Sequence, residues 1–200
     1  SFWYKIYEPF IRKAAGFGVA STKHDQERYE HKYEYCDLLI TGSGPSGLAS
    51  AYAAAKNGAR VILAEDKPRF GGSLLTDDVN IGNQNGKEWT DKIISELKAM
   101  PNVIVKNRSQ VFGYYDHNML VMSERISDHL PKTKKYSPKQ RLWYIRAKEV
   151  IISSGSIERP LVFGNNDTPG VMLSSAAKEY LKVYGGFVGK NSLVFTNNDS

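Results

Sequence analysis

Apolar and polar positions change their rhythm at residue 37. Before it, residues 1–35 mix aromatic and charged side chains, as in "STKHDQERYEHKYEY", without a period that would bury one face. This stretch reads as an extended or loosely helical arm lying on something else. From Asp37 onward, short apolar runs alternate with helical periodicities, the signature of an α/β unit built on a parallel sheet. Asp37 to Thr41 predicts a buried strand, and Pro45 to Lys56 a helix with proline in its first turn and Asn57-Gly58 at its end. Arg60 to Glu65 predicts the second strand.

Trp89, Ile93, Leu97 and Met100 recur at spacings of four, four and three, so a helix is expected over Lys87 to Met100, stopped by Pro101. Val103 to Lys106 then supplies a third parallel strand. Between Val111 and Lys148 the segments "VFGYYDHNMLVMSERI" and "RLWYIRAKEV" alternate as antiparallel crossover strands do, and "EVIISSGS" returns as a parallel strand. After Pro160 come a loop, a helix expected over Ser174 to Tyr184, and "GKNSLVFTNNDS", which reads as the opening strand of a second nucleotide-binding-type domain. The expected organisation is an N-terminal arm (1–35), a dinucleotide-binding domain (36–160), and a linker with the start of a second domain (161–200). A chain that begins with Ser1 and ends on a strand-like segment reads as a fragment of a longer polypeptide. The fold class is α/β and Rossmann-like.

Composition narrows the function classes. With 41% hydrophobic residues in 200, the chain is long enough to bury a core, so disorder is not expected. The net charge of +6 is diffuse; its densest stretch, Pro131 to Arg141, contains two prolines and no nucleic-acid motif, which argues against DNA or RNA as a partner. The single cysteine, Cys36, excludes an internal disulfide and fits a reducing compartment. Lys5 and Glu8 interrupt the first residues, so they do not resemble a signal peptide, and no apolar run is long enough to span a bilayer. A cytoplasmic location is the expectation.

The chemistry-bearing motif is Gly42, Gly44 and Gly47 between the first strand and the first long helix. In G-x-G-x-x-G the first glycine permits the tight turn, the second lets a pyrophosphate approach the backbone, and the third lets helix and strand pack closely. Pro45 and Ser46 lie within the same loop and helix turn, where free N–H groups and the positive end of the helix dipole attract an anion. Glu65 ends the second strand, where a carboxylate can accept both hydroxyls of an adenosine ribose, with Asp66 beside it. A 2′-phosphate about 4 Å from that acid would be repelled by roughly 4 kcal/mol at an effective dielectric near 20, which disfavours NADP and leaves NAD and FAD open.

Gly71, Gly72 and Ser73 in "RFGGSLL", and Ser154 and Gly155 at the carboxyl end of the returning strand, extend the candidate site. Val111 is a candidate for presenting its backbone to the adenine, with strand packing as the alternative. No catalytic residue is expected. His24, His31, His117 and His129 are too scattered for a metal motif, and no cysteine pair is present for disulfide chemistry.

Several longer motifs point to one family. "FWYKIYEPFIRKAAGFG", the glycine fingerprint with "EDKPRFGGSLL", "VFGYYDHN", "IERPLVFGNNDTPGVMLSSA" and "VFTNNDS" together resemble the N-terminal part of the alpha subunit of heterotetrameric sarcosine oxidase. Related subunits occur in opine and dye-linked proline dehydrogenases and in hydrogen cyanide synthase. The resemblance implies NAD held noncovalently in this region. It further implies FAD in a beta subunit that oxidises sarcosine, FMN at the alpha–beta interface, a later folate-handling domain, and gamma and delta partners. Ser43 and Ser46 stand where the family often has alanine, and Ser153-Ser154 replaces a frequent Ala-Thr. Two other readings stay open: an FAD-binding subunit that performs amine, opine or proline dehydrogenation itself, and a cofactor-free interaction module that docks through Phe2, Trp3, Tyr4, Tyr7 and Phe10.

Overall fold

The structure, a computed structural model, describes residues 2–18, 21–131 and 136–197. Helical turns at Trp3–Tyr7 run into a short helix α1 (Glu8–Ala14), and neither buries a residue. Strand β1 (Tyr29–Thr41) leads through the glycine loop to α2 (Pro45–Lys56), then β2 (Val61–Ala64). A two-stranded ribbon, β3 (Asn80–Ile81) and β4 (Gln84–Asn85), precedes α3 (Gly86–Ala99). β5 (Val103–Lys106), the hairpin β6 (Ser109–Tyr115) and β7 (Met119–Arg125), and β8 (Gln140–Ile152) complete the strands, and α4 (Ser174–Lys182) follows.

Six strands form one mixed sheet in the order β5-β2-β1-β8-β7-β6. β5, β2, β1 and β8 are parallel neighbours, whereas β7 runs antiparallel to both β8 and β6. A parallel sheet needs apolar cover on both faces. On one face, Leu48, Ala51 and Ala55 of α2 and Ile93, Ile94 and Leu97 of α3 pack on Ile40, Val61 and Leu63. Alanines suit α2 because a small side chain brings the helix close to the strands. On the other face, Leu39, Ile62 and Ala64 share a cluster with Leu120, Met122, Trp143, Ile145 and Ala147, so the antiparallel part of the sheet backs the parallel part. The indole N–H of Trp143 donates to Glu124 at 2.8 Å, and Lys106 and Arg141 donate to the same carboxylate at 2.9 and 3.1 Å, so the buried polar atoms at this seam are paired.

Three expectations are corrected. β1 begins at Tyr29, so residues 29–35, read as part of the arm, belong to the sheet and pair with β8 from Tyr29↔Gln140 onward. The stacked rings of Tyr33 and Tyr144, 5.0 Å apart, lie across that pairing. Secondly, "RLWYIRAKEV" and "EVIISSGS" are not an antiparallel strand followed by a parallel one. They are a single strand, β8, antiparallel to β7 along one edge and parallel to β1 along the other.

Thirdly, "SLVFTNNDS" forms no strand over 192–197, and its last three residues lie outside those described. Leu193 is 95% exposed there. A parallel strand exists only beside a hydrogen-bonding neighbour, and none of the described residues supplies one. Among the described residues, no helix is long and apolar enough to cross a membrane, and no cluster of potential metal ligands occurs.

Candidate functional site

Three glycines follow β1, and the backbone gives each a different reason. Gly42 has φ +100°, and a Cβ there would lie 2.2 Å from the carbonyl oxygen of Ser153, at the end of β8. A Cβ on Gly47 would lie 2.0 Å from the carbonyl oxygen of Gly42, so α2 could not approach the strand with any side chain there. At Gly44 the conformation, φ −67° and ψ −177°, is open to any residue, and a Cβ would meet nothing within 4 Å. Nothing among the described residues demands glycine at 44, whereas a pyrophosphate cradle needs open space at this position of the fingerprint.

Gly44 is the N-cap of α2, Pro45 occupies the first turn, and no side chain caps that end. The N–H groups of the first turn, which include those of Ser46 and Gly47, therefore face the open side of the loop with the positive end of the helix dipole behind them. The paired glycines lie against this loop. Gly71 donates its N–H to the Ser43 carbonyl at 3.0 Å, and Gly72, at φ +55°, would bring a Cβ to 3.0 Å from the Gly44 Cα. Ser73 follows within the short turn Gly72–Leu75.

Glu65 closes the other end. It is only 6% exposed. Its Oε2 accepts from the Ser43 N–H at 2.9 Å and from the Ser43 hydroxyl at 2.5 Å, while Oε1 accepts from the Lys67 N–H at 2.9 Å. Burial pushes its carboxyl above the usual range, joined by the neighbouring Asp66, and the bonds from Ser43 and Lys67 work against that rise. A carboxylate offers about four lone-pair positions, so three donors leave room for about one more.

Ser153 donates to the Thr41 carbonyl at 2.8 Å, which places exposed Ser154 and Gly155 beside the glycine loop at the carboxyl ends of β1 and β8. Asp66 is exposed next to Glu65. Val111 lies two residues into β6, pairs with Met122 and packs against the core, which is the packing alternative rather than a loop position. The start of that strand still touches the site, because the Ser109 N–H donates to the Glu65 carbonyl at 2.8 Å.

A cavity of about 320 Å³ is lined by Lys67, Arg69, Gly72, Thr76, Arg108 and Tyr184, among others, and shares Gly72 with the paired glycines. α4 contributes Glu179 to its lining. Lys67 pairs with Glu179 at 3.3 Å, Arg69 donates to the Val183 carbonyl at 3.1 Å, and Lys178 and Lys182 pair with Asp77 and Asp78 at 3.1 and 2.8 Å. Glu158 caps the helix by accepting from the Ser175 N–H at 2.8 Å and the Ser174 N–H at 3.2 Å; these bonds hold its carboxyl down to about 2. Sequence reasoning had not placed Ser43, the Ser153 backbone, Arg108 or α4 at the site. A serine inside the fingerprint was the one available signal, and the rest depends on residues far apart in the chain.

The histidines sit elsewhere. His31 lies on β1 with its ring 5.8 Å from that of Tyr144, His117 is at the tip of the β6–β7 hairpin, and His129 follows β7. Buried Cys36 belongs to the core cluster, and burial pushes its thiol up to about 12, so it is a packed residue without thiolate character.

The family model of FAD dependent oxidoreductases matches residues 37–120. The alpha subunit of sarcosine oxidase from Rhizobium meliloti (strain 1021) is 44% identical over 99% of this chain and 20% of its own length. That of Corynebacterium sp. (strain U-96) is 38% identical over 93% of this chain, again with 20% of its length covered. This chain thus spans about a fifth of the curated relatives it matches. Among solved structures, L-proline dehydrogenase from P. horikoshii superposes with a TM-score of 0.63 at 21% identity, covering 86% of this chain and 33% of that one, a likeness of fold. The chain belongs to the sarcosine oxidase alpha subunit family and carries the Rossmann-like α/β dinucleotide-binding fold of FAD-dependent oxidoreductases.

Proposed function

We propose that this chain is the dinucleotide-holding segment of an oxidoreductase subunit, and that the cleft binds the adenosine diphosphate half of a cofactor with a free 2′-hydroxyl. The observation that carries this is Gly44: unlike Gly42 and Gly47, it has open space where a side chain would be, at an uncapped helix N-terminus. The first-turn N–H groups would hold the diphosphate, with Gly42, Gly44, Pro45, Ser46 and Gly47 shaping the cradle. Gly71, Gly72 and Ser73 would flank it, Glu65 would hold the sugar with Asp66 next to it, and Ser154 and Gly155 would border the far side. Val111, paired with Met122 within β6 and packed against the core, is left out of the cradle.

NAD and FAD share this half. We read the cofactor as NAD retained noncovalently, in a heterotetramer whose beta subunit would oxidise sarcosine to glycine at its own FAD, with gamma and delta subunits, folate and hydrogen peroxide formation handled outside this segment. A second reading, FAD in this chain with amine, opine or proline dehydrogenation performed here, is favoured by the family match over residues 37–120. A bound flavin would supply a two-electron acceptor at the cleft. We place the complex in the cytoplasm.

Chromatography of the nucleotide released by denaturing the purified protein tests the proposal. NAD supports the holding role, and FAD that bleaches with substrate supports the second reading. NADP, or no nucleotide together with no heat on titration with ADP-ribose, overturns the site assignment.

A further inference from the structure

Ser43 is the loop residue whose side chain the dinucleotide reading leaves without a task. It is fully buried. Its hydroxyl donates to Glu65 Oε2 at 2.5 Å and accepts from the Gly71 N–H at 3.3 Å, while its own N–H donates to the same Oε2 at 2.9 Å. One side chain thereby joins the three segments of the site: the glycine loop, the acid after β2 and the paired glycines. Alanine at this position would keep the backbone bond and lose the other two.

Oε2 receives two donors and Oε1 only the Lys67 N–H. With about two lone-pair positions on each oxygen, Oε2 is filled and Oε1 retains one position. Resting on the dinucleotide reading above, we propose that Ser43 is a positioning residue that commits Oε2 of Glu65 to the protein, so that the acid recognises the adenosine ribose through one hydroxyl, at Oε1. The recognition is one-handed by construction. A second hydroxyl of the sugar gains an acceptor only when the serine hydroxyl is removed.

The test uses the intact protein freed of nucleotide and titrates it with ADP, 2′-deoxy-ADP and 3′-deoxy-ADP. In the wild type, one deoxy probe should bind about 10- to 100-fold more weakly than ADP, as expected for losing a bond to a charged acceptor, and the other less than threefold more weakly. In Ser43→Ala both deoxy probes should fall at least tenfold below ADP, whereas Ser43→Thr, which keeps a hydroxyl, should retain the wild-type pattern. In a Glu65→Gln background, Ser43→Ala should no longer change the ratio, because the effect runs through the acid. Equal losses for the two deoxy probes in the wild type overturn the proposal even if Ser43→Ala fails to fold. An unchanged ratio in folded Ser43→Ala overturns it too. If the wild type does not bind ADP at all, the dinucleotide reading falls and takes this one with it.

Discussion

Gly44 and Gly47 are three residues apart, yet replacing each with alanine should have opposite consequences. At Gly47 the new methyl carbon would stand 2.0 Å from a backbone oxygen, against a normal contact of about 3.4 Å, so strand and helix must separate by roughly 1 Å or more. Overpacking of that kind costs about 1–3 kcal/mol, only partly offset by the better helix propensity of alanine. For a domain of this size, 2 kcal/mol lowers Tm by about 4–8 °C. At Gly44 the methyl meets no protein atom, and two small terms cancel. Alanine is the poorer N-cap, by several tenths of a kcal/mol, and it restricts the unfolded chain by about 0.4–1 kcal/mol. The apo Tm should therefore stay within about 2 °C.

Binding inverts the order. The Gly44→Ala methyl enters the space assigned to the diphosphate and breaks at least one charge-assisted bond, about 1.5–3 kcal/mol, a 10- to 150-fold loss of affinity. Differential scanning calorimetry of both variants with and without ADP-ribose reads the two effects separately. Either of two results refutes the reasoning: Gly44→Ala melting as low as Gly47→Ala without ligand, or Gly44→Ala holding nucleotide at wild-type affinity.

Three further outcomes are expected. Burial disfavours charge on Glu124, but the bonds from Lys106 and Trp143 and the charge of Arg141 outweigh it and hold its carboxyl below the ordinary 4.5; stability from this group is present above that value and is lost as pH falls through the lowered one, so Glu124→Gln should flatten the acid limb of the stability curve, and an unchanged limb in urea titrations would count against the paired seam. His117 has φ +58° at the hairpin tip, where glycine adopts that backbone without strain, so His117→Gly should raise the urea midpoint, with a gain of about 0.5–1 kcal/mol; a lower midpoint contradicts this. Since α4 has no buried residue and is held by exposed ion pairs, hydrogen exchange of its amides should quicken between 0.05 and about 1 M salt while that of α2 does not, and equal protection at both would mean that apolar contacts hold it.

The β1–α2–β2 unit was legible because its signals are local: an apolar strand, a glycine turn and an alanine-rich helix follow one another within residues 37–65. α3 was legible for the same reason, its buried Ile93 and Leu97 lying on the face that the spacing picked out. The first half of β1 was hidden because residues 29–35 alternate aromatic with charged side chains, and what makes them a strand is a partner more than a hundred residues away. β8 was split in two because its edges obey different rules, antiparallel on one side and parallel on the other. At the site, the glycines and Glu65 were readable from spacing. The inward turn of the acid was not, because it follows from a hydroxyl and two amides that meet only in the folded chain.

The close approach of Gly42 to the carbonyl of Ser153 also sets an order of events during synthesis. At Gly42 the chain turns against a residue made roughly 110 positions later, which at 5–20 residues per second is on the order of 5–20 s of translation. Until then the nascent loop has its helix and its second strand but lacks the wall that fixes its first glycine. A ribosome-bound chain ending before residue 153 should therefore be unable to retain nucleotide, however complete its fingerprint.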